Sequence, residues 1–223
     1  MERARNKVLM VVVCVSICTA FATQEVRASG FLWFDGTEDY VNLDAHVGDY
    51  AGLSNGTICA WIRSEETGAL DDVFFAASDG STDAPMYFEK YRDGRIKIRI
   101  APGGISRLRW FSTNTLPEGW HHFAYATDGS GNSMYLDGQQ IFGTYEAGNS
   151  STNAFFSHMT GLDSMRVGVL PKNNSLSGAW KGGIDEVAIY DVALSAAEVN
   201  EISMHGVSIV PELVGYWNFD EGE

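Results

Sequence analysis

The sequence predicts an all-β fold, an antiparallel two-sheet jelly-roll sandwich with one short helix near its C-terminal end. Three observations lead to this prediction. Short segments of alternating apolar and polar residues recur about a dozen times, turn signals separate them at close intervals, and helices do not alternate with strands as they do around a parallel sheet. Asp93-Gly94 and Asp137-Gly138 are typical of tight hairpin turns, and each joins two such segments.

The predicted strands follow from the two-residue period of strand side chains. Ile58, Ala60 and Ile62, for example, share one side of a predicted strand. The residues assigned to strands are 31–34, 40–43, 56–64, 86–92, 95–100, 106–112, 120–127, 133–137, 139–143, 165–169, 183–190 and 214–219. The polar residues 79–83 and 146–158 are predicted to be loops.

A single short helix is predicted after the strand at 183–190. Ser195 and Glu198 form the S-x-x-E capping box that begins a helix, and the residues on either side can pack as a hydrophobic staple. Gly206 is placed to end the helix. A strand, a tight corner and one capped helix therefore follow each other near the end of a strand-rich chain.

Residues 1–22 are predicted to be a signal peptide that is cleaved near Ala22. Three basic residues precede an apolar run at 8–18, and Ala20-Phe21-Ala22 matches the small-x-small cleavage pattern. The apolar run is shorter than the roughly 20 residues of a membrane span. We therefore expect residues 23–223 to be secreted as one domain, with no membrane span after cleavage.

The chain is strongly acidic, with a formal net charge of −14. Because the predicted signal peptide carries a net charge of +2, the mature chain is near −16. This charge excludes nucleic acid as a general partner and favours solubility and the attraction of divalent cations. Cys14 and Cys18 leave with the signal peptide, so Cys59 has no internal disulfide partner and the core must be stable through packing alone.

Five segments follow one another in a specific order: residues 34–41 (FDGTEDYV), 58–62 (ICAWI), 120–123 (WHHF), 135–138 (YLDG) and 184–187 (IDEV). In this order they resemble the laminin-G-like and pentraxin-like domains of the concanavalin A-like lectin/glucanase superfamily. The resemblance implies a jelly roll over the mature chain, but this fold hosts lectins, adhesion modules, hydrolases and spacers. It also places Phe123 where the pentraxins have the disulfide partner of Cys59, so we expect a free, buried thiol beside that ring.

Residues 213–222 resemble the strand that normally begins such a domain, although here they come last. Two interpretations are open: residues 213–223 close the sheet of a permuted domain, or they start a second module that has been truncated. We favour the first, with the last strand paired beside residues 31–35, because Trp217 and Phe219 would otherwise lose their burial.

The resemblance further implies a structural calcium ion, Ca²⁺. Related families hold it with the aspartate of the I-D-E-V strand and oxygens of the N-terminal strand, which here are Asp185 with Asp35, the Gly36 carbonyl or Asp39. Clustered carboxylates and carbonyls are the ligands that calcium prefers. The alternative is that Asp185 only hydrogen-bonds a neighbouring loop. Residues 169–175 carry no carboxylate, so pentraxin-style phosphocholine binding is not expected.

Basic residues are concentrated on two adjacent predicted strands. If Asp93-Gly94 is a two-residue turn, the basic residues around it share one face and the isoleucines between them take the other. Arg107 and Arg109 would then lie opposite Arg99 and Lys97. The candidate ligand-binding residues on this ribbon are Lys90, Arg92, Arg95, Lys97, Arg99, Arg107 and Arg109.

Like charges directly across a sheet destabilise it by roughly a few tenths of a kcal/mol, so we expect negative charge to offset the repulsion between the basic residues of this ribbon. The offset is either an acidic neighbour, such as Asp72, Asp79 or Asp83, or a bound anion. Because laminin-G-like domains bind sulfated glycans, the resemblance implies an anionic polysaccharide as ligand. The alternative is a solvated face whose charges are paired with carboxylates of this acidic protein.

Trp180 and Tyr145 lie near predicted loops, where an aromatic ring can stack on a sugar. We include Trp180 among the candidate ligand-binding residues. The alternative is that both rings pack within the protein.

The sequence contains no recognisable catalytic motif. It lacks paired acidic residues in an E-x-D-x-x-E arrangement, and it has no G-x-S-x-G, H-E-x-x-H or P-loop motif. The sequence therefore predicts a secreted, non-catalytic module that binds extracellular carbohydrate and holds a structural calcium ion. The alternative is an adhesion or structural domain that binds another protein and has no glycan site. A glycosidase with a degenerate site is a lesser hypothesis.

Overall fold

The computed structural model describes residues 30–65 and 70–220. The predicted signal peptide and its cleavage site lie outside these residues. Within the described part of the chain, no helix is both long enough and apolar enough to cross a membrane.

Short strands make up most of the regular secondary structure of the described chain. They are β1 (Leu32–Asp35), β2 (Val41–Asn42), β3 (Gly56–Ser64), β4 (Asp72–Asp79), β5 (Ala84–Lys90), β6 (Arg95–Ile100), β7 (Leu108–Thr115), β8 (His121–Asp128), β9 (Gly131–Leu136), β10 (Gln139–Ile141), β11 (Gly143–Ala147), β12 (Ser164–Val167), β13 (Leu170–Lys172), β14 (Ser175–Ser177), β15 (Lys181–Tyr190) and β16 (Leu213–Trp217). The helices are α1 (Val47–Tyr50) and α2 (Ala196–His205), and short 3₁₀ turns lie at Asp44–His46, Pro102–Gly104 and Phe156–His158.

The strands form two antiparallel sheets that pack face to face. The first sheet has the order β1-β15-β3-β8-β9-β10, with β16 also paired to β15, and the second has the order β11-β7-β6-β5-β4-β12-β2. β13 and β14 form a separate hairpin. The predicted two-sheet sandwich with one short helix near its C-terminal end is confirmed. The single turn α1 is an addition that the sequence did not predict.

Side chains from both sheets meet in one hydrophobic core. Ile58 and Ile62 of β3 and Trp110 of β7 are buried in it. The ring of Phe88 in the second sheet lies 6.0 Å, centroid to centroid, from the ring of Phe123 in the first. Each large apolar side chain that is buried in this way contributes about 1.5–3 kcal/mol, so packing supplies the main stabilisation.

Helix α2 covers part of the outer face of the first sheet. Its capping box forms as predicted: the Glu198 carboxylate accepts the Ser195 N–H at 2.7 Å, and Ser195 Oγ accepts the Glu198 N–H at 3.4 Å. Gly206, with φ of 84°, ends the helix as expected. Val199 and Ile202 are the apolar side chains that α2 buries against the sheet.

Cys59 is buried and forms no disulfide within the described residues, as expected. It lies opposite Ala124 on the outer face of the first sheet, whereas Phe123 faces the core, so the expected position beside the Phe123 ring was wrong. The reason is that neighbouring residues of a strand point to opposite faces. Burial, followed by the charge of Glu186, raises the pKa of the thiol to about 12.

Strand β4 and the β13–β14 hairpin have no counterpart among the predicted strands. Residues 73–77 form a continuous apolar run. A bulge between Val73 and Phe75 turns both Phe74 and Phe75 towards the core, while Leu170 of β13 packs with Val73 on the other side. A strand that is covered on both faces lacks the alternation that predicts a strand.

Strand β16 extends the first sheet along the same edge of β15 that β1 uses. β1 pairs with residues 181–184 of β15, and β16 pairs with residues 187–190. The expected pairing of the last strand with residues 31–35 was therefore wrong, because both strands bind β15 in succession rather than each other. Trp217 packs against the ring of Tyr50, with centroids 6.3 Å apart.

Deletion of residues 211–223 should lower the melting temperature by roughly 10 °C, because it removes the ladder of β16 and about 3–5 kcal/mol of aromatic and aliphatic burial. Thermal unfolding followed by circular dichroism measures this. Val214→Thr, a change at a side chain that is 40% exposed, serves as the matched control and should leave the melting temperature almost unchanged. An unchanged melting temperature of the deletion variant would show that the sandwich does not need β16.

Candidate functional site

The hairpin that joins β5 to β6 decides which side chains share the outer face of the second sheet. Its loop is Arg92, Asp93 and Gly94, and it is closed by the Tyr91 N–H, which donates to the Arg95 carbonyl at 2.7 Å. The predicted two-residue turn was therefore wrong. A change of one residue in a hairpin loop moves the side chains of one strand to the other face.

The basic ribbon is smaller than predicted as a result. Lys90 pairs with Ile96, whose side chain is buried in the core, so Lys90 does not share the face of Lys97. Arg92 lies in the hairpin loop, where its guanidinium pairs with Asp71 at 2.7 Å. The place opposite Lys97 is taken by Glu89 instead.

Lys97 occupies the centre of the outer face of the second sheet and is only 5% exposed. Its Nζ lies 2.5 Å from Glu89 Oε1. The same Nζ lies 5.0 Å from the ring centroid of Tyr87, 4.8 Å from that of Tyr91 and 5.8 Å from that of Phe111. We call this arrangement the Lys97 face; its members are Tyr87, Glu89, Tyr91, Arg95, Lys97, Arg99, Arg109 and Phe111.

The ammonium of Lys97 is held in its charged form. Burial is the largest single influence and lowers the pKa of Lys97, but the charges of Glu89 and Tyr87 and the hydrogen bonds to them together outweigh it, so the pKa is raised. Aromatic ring faces are attracted to a cation as well, most strongly where water is excluded. The second sheet therefore carries a fixed cation in the middle of three aromatic rings.

Two guanidinium groups lie over the ring of Phe111. The Arg95 guanidinium carbon is 4.7 Å from its centroid, and that of Arg109 is 5.7 Å from it. In the ladder Arg109 pairs with Arg99, and Lys97 pairs with Phe111, a shift of two residues from the predicted register. Like charges thus face each other at Arg99 and Arg109.

Arg107 does not join the Lys97 face, which corrects the prediction. It precedes β7, and its Nε donates to the Asn153 carbonyl at 2.7 Å. Its side chain is held at the loop before Ala154 instead.

Carboxylates offset the basic side chains of this region, as the alternative interpretation of the ribbon proposed. Each of five basic residues contacts one acidic partner, and Asp83 is the partner that the sequence named for this role. The pairs are Arg92–Asp71 at 2.7 Å, Arg95–Asp93 at 2.8 Å, Lys97–Glu89 at 2.5 Å, Arg99–Asp83 at 3.2 Å and Arg109–Glu146 at 3.2 Å. Among these residues the charges balance, so the face is not a positive patch.

The outermost of these pairs are open to exchange. The side chains of Arg109 and Glu146 are 39% and 50% exposed, and exposed ion pairs contribute little stability. The Nε–H of Arg109 makes no aligned hydrogen bond within the described residues, although Glu146 is near. The Arg109–Glu146 pair is therefore the weakly held edge of the Lys97 face.

Trp180 is excluded as a sugar-stacking residue, which corrects the prediction. Its side chain is fully buried, its ring lies 5.7 Å from that of Phe74, and its Nε1 donates to the Gly183 carbonyl at 3.3 Å. The sequence missed Tyr87, Tyr91 and Phe111 instead. The two-residue period places Tyr87, Glu89 and Tyr91 on one face. Only the register of the hairpin shows that this is also the face of Lys97.

The four residues expected to bind calcium are not brought together. Asp35 pairs with Lys181 at one end of β15, and Asp39 Oδ2 accepts the Asp35 N–H at 2.9 Å. Asp185 lies four residues farther along β15, about 13 Å away at the usual rise of a strand. The grouping of Asp185 with Asp35, Gly36 and Asp39 was therefore wrong, because β1 runs antiparallel to β15 and carries Asp35 away from Asp185.

Asp185 itself is an unusual carboxylate. Its side chain is fully buried, Oδ1 accepts the Glu186 N–H at 2.8 Å, and Oδ2 has no hydrogen-bond partner within the described residues. Burial, with contributions from the charges of Glu186 and Asp220, raises its pKa to about 7. An uncompensated buried oxygen of this kind destabilises the protein unless something binds it.

The surroundings of Asp185 supply further oxygens. β1 and β16 end on either side of it, and there Gly30 packs so closely on Phe219 and Asp220 that a Cβ on Gly30 would lie 3.1 Å from the Phe219 carbonyl oxygen. No group of three or more His, Cys, Asp or Glu residues within the described ranges is arranged around a metal. A cation here would thus be held by Asp185, Asp220, carbonyl oxygens and water, which suits a hard ion such as Ca²⁺.

Comparison with known proteins places these features in context. The family model Laminin_G_3, described as the concanavalin A-like lectin/glucanases superfamily, matches residues 35–200. This confirms the resemblance found in the sequence. A search of curated proteins found no match.

Solved structures with the same fold share little sequence with this chain. The CBM40 module of the Ruminococcus gnavus IT-sialidase, bound to α2,3-sialyllactose, aligns with a TM-score of 0.63 at 16% identity, over 78% of this chain and 96% of the module. A mutant NanB sialidase from Streptococcus pneumoniae aligns with a TM-score of 0.64 at 17% identity, over 77% of this chain and 27% of the enzyme. The leech intramolecular trans-sialidase aligns with a TM-score of 0.61 at 17% identity, over 81% of this chain and 28% of the enzyme.

Lys97→Met should lower the free energy of unfolding by about 3–5 kcal/mol, because Glu89 is then buried without its counter-charge. The double variant Lys97→Met/Glu89→Leu should regain most of this loss, since it removes both charges. Urea denaturation at neutral pH measures both values. The control is Arg92→Ala, whose side chain is 56% exposed and whose ion pair should contribute less than about 1 kcal/mol. Equal, small effects of Lys97→Met and Arg92→Ala would contradict the central role of the buried pair.

Proposed function

Given that the chain belongs to the Laminin_G_3 family of the concanavalin A-like lectin/glucanase superfamily, we propose that it is a secreted, non-catalytic carbohydrate-binding module that recognises a sugar bearing a carboxylate. One observation carries the proposal. The Lys97 face combines a fixed cation, aromatic rings and half-exposed guanidinium groups on one rigid sheet. Rigid placement on strands lowers the entropy lost when a ligand binds.

The charge balance of the Lys97 face favours a single carboxylate over a polysulfated chain. A polyanion gains affinity from many uncompensated cations, whereas here each basic side chain has an acidic partner. One carboxylate can take the place of Glu146 at Arg109 and receive two parallel N–H donors. This narrows the anionic polysaccharide predicted from the sequence to a carboxylated sugar at a discrete site.

The fold neighbours support the same ligand class. The R. gnavus CBM40 module, which shares the fold, was solved with sialyllactose, a sugar that carries one carboxylate. Tyr91 is half-buried at the edge of the face and can offer its ring to the apolar side of a sugar.

The absence of catalysis is part of this proposal. A glycosidase needs two carboxyl groups on either side of the scissile bond, one of them free to protonate the leaving group. On the Lys97 face Glu89 is committed to Lys97, and Asp83, Asp93 and Glu146 each contact an arginine. Export is supported by the predicted signal peptide.

Titration with 3′-sialyllactose by calorimetry tests the proposal. Arg109→Ala should weaken binding at least about tenfold, because it removes a charge-assisted hydrogen-bond donor. The matched control is Arg63→Ala, whose guanidinium is likewise paired with a carboxylate, Glu65 at 2.7 Å, but on the first sheet. Raising the salt from about 0.05 to about 0.5 M should weaken binding only a few-fold, because a single charge is involved. Tight binding of heparin with a steep salt dependence, or equal effects of the two variants, would contradict the proposed site.

We further propose a structural calcium ion at Asp185, with Asp220 and the carbonyl of Phe219 as the other protein oxygens. The unpartnered Asp185 Oδ2 and the neighbouring charge of Asp220 support this assignment. When bound, the ion would supply a positive charge beside the buried carboxylate of Asp185. Its effect would be to tie the ends of β1 and β16 to β15.

Without calcium, the raised pKa of Asp185 makes the protein less stable as the pH rises. The folded protein holds the proton of Asp185 more tightly than the unfolded chain does. The contribution of Asp185 to the free energy of unfolding is therefore fully present below about pH 4 and is lost as the pH rises to about 7. In EDTA, the free energy of unfolding of Asp185→Asn should vary with pH by about 2–4 kcal/mol less than that of the natural protein, as urea denaturation between pH 4 and pH 8 measures.

Calcium should raise the melting temperature of the natural protein at pH 8 and leave that of Asp185→Asn unchanged. Asp35→Asn is the control and should keep the calcium effect; a calcium effect that is equal in all three proteins would contradict the site.

A second candidate function is docking to another protein through the outer face of the first sheet. Phe31 and Trp33 are 45% and 47% exposed there, and Arg63 lies 5.7 Å above the Trp33 ring. Aromatic and arginine side chains dominate protein interfaces. If the natural protein does not bind the glycan in the titration above, and if it self-associates in a way that Trp33→Ala abolishes, this second function is favoured.

A further inference from the structure

A concave surface lies at the edge of the sandwich, where the chain passes from the first sheet to the second. It is a cleft of about 410 Å³ between β7, β10 and the turn into β11. Ile96, Leu136 and Ile141 contribute its apolar lining, and Asn114, Gln140 and Phe142 are among the exposed residues that border it. This volume is within the usual range of small-molecule sites.

Phe142 is the most unusual residue of this cleft. It is the single residue between β10 and β11, and its ring is 73% exposed. Its backbone is held on both sides, because its carbonyl accepts the Thr113 N–H at 2.9 Å and a Cβ on Gly143 would lie only 2.0 Å from the Phe111 carbonyl. An exposed aromatic ring on a fixed backbone gains apolar burial when a ligand covers it and loses little conformational freedom.

The polar part of the cleft carries amides and hydroxyls. A bulge in the ladder between β6 and β7 produces it: Ser112 Oγ accepts the Ile96 N–H at 3.0 Å and donates to the Asn114 carbonyl at 2.5 Å. This turns Thr113 and Asn114 to the surface. The residues that line the cleft include no charged side chain, although the chain as a whole has a net charge of −14.

We infer that this cleft binds a neutral sugar residue, with one apolar sugar face on Phe142 and hydroxyl groups on Asn114 and Gln140. Amides donate and accept hydrogen bonds and thus suit hydroxyl groups, whereas an acidic sugar would find no cation here. The inference rests on the proposed function only in that the ligand is a carbohydrate. The cleft and the Lys97 face use different side chains, so each can fail separately.

Binding of neutral oligosaccharides to residues 23–223 tests the inference. Lactose, cellotriose, maltotriose and xylotriose are titrated by calorimetry and by saturation-transfer NMR, with 3′-sialyllactose as the acidic probe. We expect at least one neutral sugar to bind, Phe142→Ala to weaken it at least tenfold, and Asn114→Ala to weaken it as well. Tyr40→Ala, which removes another exposed aromatic side chain, 42% exposed, is the matched control and should leave the affinity unchanged.

The outcomes separate the two sites. Neutral-sugar binding that survives Arg109→Ala but is lost in Phe142→Ala supports the cleft. If no neutral sugar binds at millimolar concentration, or if binding depends on Tyr40 or Arg109 and not on Phe142, the cleft inference is overturned. Binding of 3′-sialyllactose that depends on Arg109, without binding of any neutral sugar, would overturn the cleft inference and leave the proposed function intact. The melting temperature of Phe142→Ala confirms that the variant is folded.

Discussion

The structure depends most on β15 and on the bulge in its middle. This strand hydrogen-bonds β3 along one edge and β1 and β16 in succession along the other. Ile184 and Val187 are both fully buried in the core, although strict alternation would place them on opposite faces. The bulge between Asp185 and Ala188 makes this possible, and the residue inside it, Glu186, has φ of 51°. Three strands are thereby anchored to one backbone.

The same bulge leaves a polar group that the fold does not satisfy. Two inward residues flank Asp185 and Glu186, so both acidic side chains are displaced towards the outer side of the sheet. Glu186 finds the Tyr216 hydroxyl, which donates to it at 2.7 Å, whereas one oxygen of Asp185 finds no partner within the described residues. Natural proteins tolerate such a conflict mainly where a ligand resolves it. The anchoring of three strands and the unpaired oxygen on which the proposed calcium site rests are thus two consequences of one backbone irregularity.

The two candidate sugar sites differ in their electrostatics. The charges of the Lys97 face are paired within the protein, so the face has little long-range electrostatic field. Binding of a ligand there would depend on the exact positions of the charged groups. The cleft beside Phe142 is lined by uncharged side chains and depends on ring contact and hydroxyl pairing. Both lie on strands of the sandwich, and neither uses the loop tryptophan that looks most like a sugar platform in the sequence. A shared fold therefore carries distinct chemistry at distinct places.

The sequence by itself determined the class of the fold, most of its strands, the capped helix α2 and the buried free thiol of Cys59. These features depend on local periodicity, on capping residues and on composition, all of which are written in neighbouring residues. Only the tertiary structure decided the loop between β5 and β6, where one hydrogen bond from Tyr91 to Arg95 moves Lys90 off the Lys97 face and brings Glu89 onto it. It likewise decided the partner of β16 and the separation of Asp35 from Asp185. The physical reason is that alternation tells which side chains share a face, whereas the register between strands, which is set by distant contacts, tells which of those faces meet.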